Sequence, residues 1–211
     1  MGYFKELPDL EYRSPFSTYR NSVNDFIKCK NLFKRLKLRD DVYNNVTNFD
    51  KYIIGEGQRP DQIALEYYGD DTLDYVILIV NNISNLRNEW PLSGEYFYNF
   101  LERKYPFPGQ LSQIHHYETK EIKDSLDRLI LPAGKWVDAN FTIPNPNNKQ
   151  QTINPVKPVT ILAWEQELND KKSEIWLLRP EYIGIFLDDL RTAYTYGVSS
   201  QQIDETTKRG D

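Results

Sequence analysis

Apolar residues in this chain come in short runs, and the spacing inside each run predicts its element. From Ser22 to Leu38 the residues Val23, Phe26, Ile27, Phe33 and Leu36 recur three to four positions apart, which predicts an amphipathic helix with one buried face. Tyr52-Ile53-Ile54 reads as a short strand, and Gly55 to Pro60 as the loop behind it. Pro60 suits the first turn of a helix whose inner face is Ile63, Ala64 and Tyr67, and Gly69 suits the left-handed residue that ends it. Asp70-Asp71-Thr72 then offer caps for a second helix. Leu73 to Val80 is apolar nearly all round, so this helix should be the most buried part of the unit, closing at Asn81-Asn82.

Outside this stretch the pattern is looser. Tyr3 to Tyr12 is too short to fold alone, and is either an arm laid on the body or a segment that docks on a neighbour. Gly94 to Glu102 has the spacing of a short helix, ended before Pro106 and Pro108. Ile114 to Tyr117 is a strand, and Leu129 to Val137 another with a turn inside it. Ile143 to Pro158 carries four Pro and four Asn and reads as a surface loop or extended arm. Regularity returns with a helix from Leu162 to Asn169, a strand at Glu174 to Leu178, and a final helix whose inner face is Ile183, Phe186, Leu187 and Leu190. Beyond Tyr196 the chain is polar and is expected to fray.

Composition narrows the function. The longest aliphatic run, Val76 to Val80, stops at Asn81, far short of the roughly 20 apolar residues a membrane span needs. The first residues lack a basic stretch followed by an apolar one, so synthesis and folding are expected in the cytosol. A net charge of −5 argues against a nucleic-acid partner. Within the helix expected over 22–38, Lys28, Lys30, Lys34, Arg35 and Lys37 form a basic face that either meets an acidic partner or is simply solvated. The 15 Tyr suit protein interfaces and carbohydrate contacts, and equally suit half-buried packing.

Candidate chemistry is sparse. Cys29 is the only cysteine, so no internal disulfide forms, and it has no His near it in sequence to activate it. His115 and His116 are adjacent, so in a strand they should face opposite sides and cannot chelate one metal. The acid pairing worth weighing is Glu56 with Asp61 or Glu66, but an acid at a helix start is already explained by the helix dipole. No catalytic residue, metal or cofactor is therefore expected.

The order Tyr52-x-Ile54, a Gly-containing turn, Arg59-Pro60-Asp61, Ile63-Ala64, Tyr67-Tyr68-Gly69-Asp70, an aliphatic helix and a closing Asn81 resembles the lysin motif, a β-α-α-β module. The resemblance implies binding of N-acetylglucosamine polymers such as peptidoglycan, and a second strand near Trp90 to Phe97. Residues carried over as structural positions of the motif are Tyr52, Arg59, Pro60, Ile63, Tyr67, Gly69 and Asn81.

With the flanks included, the chain resembles the baseplate wedge proteins of contractile-tailed phages, the family of the T-even wedge protein numbered 53. The landmarks are Tyr3-Phe4 through Tyr12, Phe26 to Arg35, the Arg59 to Leu78 stretch, and Leu168 to Ile183. This implies an α+β fold in four segments: an arm and amphipathic helix (1–48), a small β-α-α-β lysin-motif-like domain (49–105), an irregular strand and loop region (106–160), and a C-terminal helix-strand-helix with a frayed tail (161–211). It also implies a structural, non-enzymatic protein of the virion tail baseplate, assembled in the host cytoplasm. Its partners would be the large wedge proteins that form the core bundle, the sheath-initiator protein and the neighbouring wedge. The faces offered for partner contact are Phe26, Phe33 and Leu36, and Phe186, Leu187 and Leu190. The alternative function is a peptidoglycan-binding module of a cell-wall-associated protein.

Overall fold

Pro60 has no N–H to leave unsatisfied in a first helical turn, and Gly69, at φ +77°, accepts the left-handed conformation that stops the helix, donating its N–H to Leu65 O at 3.0 Å. In the computed structural model, which describes residues 2–14, 26–34, 40–43, 45–199 and 201–209, these two residues bound one of eight α-helices. Helices and thirteen strands, numbered here along the chain, make an α+β fold. The chain divides into two units. One is Met1–Trp90 with Glu174–Asp211, and the other, Pro91–Ser173, is inserted within it.

The first unit is built on strand β3 (Phe49–Ile53), helix α3 (Pro60–Tyr68), helix α4 (Asp74–Val80) and strand β11 (Glu174–Leu178). β3 and β11 pair antiparallel, with Glu174 opposite Ile53 and Leu178 opposite Phe49. The second strand expected at Trp90 to Phe97 is thus not there. Trp90 is a buried core residue, and Gly94–Lys104 is helix α6, with Phe97 and Leu101 buried one turn apart. The β-α-α-β order is completed by a strand that follows the whole inserted unit.

α4 is apolar on every side because it separates two cores. Tyr75, Val76 and Val80 pack with Leu7, Phe49 and Leu178, whereas Ile77 packs with Ile63, Ala64, Ile175 and Leu177. At the end of α4 the Asn81 amide mimics a strand. Its Nδ2 donates to Trp176 O and its Oδ1 accepts from Trp176 N, each at 2.8 Å, while Nδ2 also reaches Ile77 O. This satisfies the edge of β11 that faces away from β3.

The first residues are an arm laid on their own body. α1 (Tyr3–Glu6) leads to Leu7, only 2% exposed, and Glu6 accepts from Arg191 at 2.8 and 3.1 Å. Arg191 belongs to α8 (Ile183–Tyr194), whose Phe186 and Leu190 enter the same core. Beyond the arm, β1 (Asp9–Arg13) pairs antiparallel with β2 (Phe26–Lys30) and parallel with β13 (Thr207–Arg209), which forms a hairpin with β12 (Gln202–Asp204).

Two expectations are corrected here. Phe26–Lys30 is a strand, not part of a helix over 22–38, of which residues 22–25 and 35–38 lie outside the described ones. Alternation also fits this segment: Lys28 and Lys30, two apart, both reach Asp9, at 3.3 and 2.9 Å, across the strand pair. The tail past Tyr196 does not fray throughout, because Thr207 is buried and Asp9 N donates to Thr206 O at 2.7 Å.

In the inserted unit, β4 (Ile114–Thr119) lies between β10 (Val156–Thr160) and β7 (Trp136–Val137). Two hairpins, β5 (Ile122–Lys123) with β6 (Leu129–Leu131) and β8 (Ile143–Asn145) with β9 (Asn148–Ile153), extend from it. The loop expected over 143–158 is therefore largely strand. Pro144 and Pro158 fall in edge strands, β8 and β10, where proline is tolerated, and Pro146 and Pro155 fall between strands. Thr160 caps α7 (Ile161–Lys171) by accepting from Ala163 N, and buried Glu165 of that helix takes both Lys104 Nζ and Tyr105 OH on one oxygen at 2.7 Å. A second amide clasp closes the insert: Asn169 accepts from Leu92 N at 2.8 Å and donates to Leu92 O at 2.9 Å.

Asn81→Ala should lower stability by about 0.5–1.5 kcal/mol, since it removes the amide bonds that hold the outer edge of β11. Urea unfolding gives the loss, and amide exchange at Trp176 should accelerate beyond that of its neighbours. Burial pushes the Glu165 carboxyl up, but the hydrogen bonds from Lys104 and Tyr105 and the Lys104 charge outweigh it, so the group sits below the usual carboxylate range. A carboxyl held low in the folded state stabilises above its ordinary range, and that stabilisation is lost as pH falls through it. Protection of α7 amides against exchange should thus drop on acidification, and the drop should shrink in Glu165→Gln.

Candidate partner-binding surfaces

The seven motif residues form a connected framework in the first unit. Pro60 and Ile63 are buried, the latter completely. Arg59 gives its N–H to the Gln62 side chain at 3.0 Å and pairs in solvent with Asp61 at 2.7 Å. Tyr52 donates its hydroxyl to Gln58 Oε1, which also takes Gly55 N, both at 3.0 Å; the Gln58 carbonyl in turn accepts from the Trp90 indole at 2.9 Å. Tyr67 donates to Asp50 at 2.6 Å, and Asp50 also accepts from Arg179 at 3.0 Å. Burial and the Asp50 carboxylate push the Tyr67 hydroxyl up to about 12, while the Tyr67 and Arg179 hydrogen bonds hold Asp50 below its ordinary range. Tyr67 therefore locks α3 to β3 and to the residue after β11. Asn81 holds β11 from its other edge.

The faces expected to meet partners separate into two kinds. Phe186 is 8% exposed, Leu190 3%, and Leu187 packs beside them, so this face of α8 lies against the core. The reason is the arm: Leu7 and Tyr3 cover a helix face that local pattern alone leaves unassigned. Phe26 is half-buried beneath Arg209, whose guanidinium lies 4.5 Å from the ring centre. Phe33 is 89% exposed and its neighbour Leu32 67%, both in the turn after β2. Leu36 lies outside the described residues. Of the five described, Phe33 is the one that stands fully at the surface.

The acids weighed for catalysis are otherwise engaged, Asp61 by Arg59 and Glu66 by Gln58 Nε2 at 2.8 Å. Among the described residues no three His, Cys, Asp or Glu converge as metal ligands, and no helix is long and apolar enough to cross a membrane. Cys29 is exposed in β2.

One arrangement escaped the sequence pattern. His115 and His116 do not point apart: their Nδ1 atoms are 2.9 Å from each other. Thr160 pairs with Ile114 and Val159 with His116, leaving His115 as the extra residue of a β-bulge, which turns its ring toward that of its neighbour. His115 stacks on Trp164 at 5.4 Å and His116 on Trp136 at 4.2 Å, while His116 Nε2 meets Glu118 at 2.9 Å. The residues involved sit on β4, β7 and α7, and only the two histidines are neighbours in sequence.

The sequence pattern of the family described as base plate wedge protein 53 matches residues 7–132 of this chain. No curated protein matches it. The matched span exceeds half of the 211 residues and contains β3, α3, α4 and the start of the insert. The chain therefore belongs to the base plate wedge protein 53 family, structural proteins of the phage tail baseplate whose partners are other baseplate proteins.

Proposed function

We propose that the protein is a connector of the baseplate wedge: it clamps the large wedge proteins and helps join adjacent wedges into the ring around the hub. The family match over residues 7–132 carries this reading. Binding without turnover is its mechanism, with the sheath-initiator protein and the neighbouring wedge as further partners and assembly in the host cytoplasm. The β-α-α-β order of β3, α3, α4 and β11 supports kinship with the lysin motif. In this chain its use is as a protein-docking scaffold. Several polar groups of that unit are taken up internally, since Tyr52, Gly55, Trp90 and Glu66 all bond to Gln58. A rigid, self-satisfied unit with short appended arms suits a clamp, because contacts of modest strength to several partners sum through high effective concentration.

Contact is made by the Leu32-Phe33 turn. Two exposed large apolar side chains gain by burial against a partner roughly 1.5–3 kcal/mol each, whereas the core face of α8 has nothing left to offer. A Leu32→Asp/Phe33→Asp double variant should keep its circular dichroism and melting temperature but fail to enter wedge complexes, read by size-exclusion chromatography with light scattering after mixing with wedge proteins. Phe186→Asp should instead lose its fold, because it places a charge in the Leu7, Tyr75 and Leu190 core. Normal incorporation of the double variant would remove this turn from the interface.

A further inference from the structure

Three directly opposed residues cross the sheet of the inserted unit in one row: Lys157 of β10, Glu118 of β4 and Trp136 of β7. Opposed residues share a face, so the row lies on the side that also carries His116, two residues from Glu118. Trp136 is 60% exposed, an unusual state for the largest apolar side chain. It is nonetheless held in place. His116 lies flat against the indole at 4.2 Å and is itself fixed by Glu118, while His115 and Trp164 meet the indole edge-on at 6.0 and 5.4 Å.

A buttressed indole facing solvent has two usual uses, as an anchor in a protein interface or as a platform for a sugar ring. The surroundings separate them. Interface cores are depleted of Lys and Glu, and an anchor is ringed by groups that exclude water. Trp136 instead has Glu118 directly opposite it, Lys157 one strand further along the same face and the exposed ring of His115 at its edge, and Lys157 has no ion-pair partner among the described residues. A single aromatic face inside a polar rim matches a pyranose whose substituents are all equatorial. Such a ring turns only C–H bonds toward the negative face of the indole and holds its hydroxyls out to the rim.

We propose that Trp136 is the platform of a glycan-binding site that takes a β-1,4-linked, all-equatorial pyranose, with Lys157 and His115 bonding its hydroxyls and Glu118–His116 keeping the indole flat. This goes beyond the clamp function and uses a surface separate from the lysin-like unit. Trp136 and Lys157 also lie outside the residues matched by the family.

The test is titration of the full chain with chitotetraose and with cellotetraose, followed by tryptophan fluorescence and saturation-transfer NMR. Saturable binding of at least one is expected. It should weaken about tenfold or more in Trp136→Ala, survive in part in Trp136→Phe, and stay unchanged in Trp176→Ala, which removes an exposed indole of the other unit. Circular dichroism of each variant shows that the fold persists. Absence of saturable binding overturns the proposal. So does binding that Trp136→Ala leaves intact and Gln58→Ala abolishes, which would place the sugar on the lysin-like unit. Loss of wedge association in Trp136→Ala, with no sugar bound by the parent chain, would assign the indole to a protein interface and leave the clamp reading standing.

Discussion

The structure depends on closing a chain around an insertion. Among the described residues β3 pairs with β11 alone, and a two-stranded sheet in isolation is marginal in water, so something must hold the returning strand. Burial does part of this through Ile175, Leu177 and Leu178, all nearly inaccessible. The specificity comes from one amide. Asn81 offers a donor and an acceptor with the spacing of a peptide group, and it meets the N–H and C=O of Trp176, 95 positions further along the chain. A slip of β11 by one residue would present the wrong edge to Asn81 and would turn Ile175 and Leu177 toward solvent. Register, burial and hydrogen bonding therefore select the same pairing.

The same device recurs in the insert. Asn169 grips Leu92 as Asn81 grips Trp176, so each unit secures its own returning segment with a side-chain amide. Unlike a disulfide, which one cysteine could not supply, an amide clasp works in any redox environment. The arm adds a third closure, in which Glu6 and Arg191 flank the point where Leu7 enters the core.

What could be read from sequence tracks how local each cause is. α3 was legible because Pro60 and Gly69 act on their own backbone, and α4 because an all-round apolar helix can only be central. The partner of β3 was not, since nothing near Trp90 says that the expected strand has been replaced by the inserted unit. Phe26–Lys30 was misread because its apolar positions fit both periods, and the deciding term, two lysines meeting Asp9, belongs to another strand. Phe186, Leu187 and Leu190 were read correctly as an inner face, but the arm that covers them lies at the far end of the chain. The histidine rings come together through a bulge that no residue type announces, and Trp136 joins them only through strand pairing.

The insertion also sets an order in time. A ribosome delivers residues in sequence, so the whole of Pro91–Ser173 emerges before β11 exists as a partner for β3. The enclosed unit can pack while its host is still an open half with α3 and α4 apolar on faces that β11 must cover. The first sheet closes later still, since β1 waits for β13. Closure thus runs from the insertion outward, and the sheet in which β1 meets β13 is the last to form.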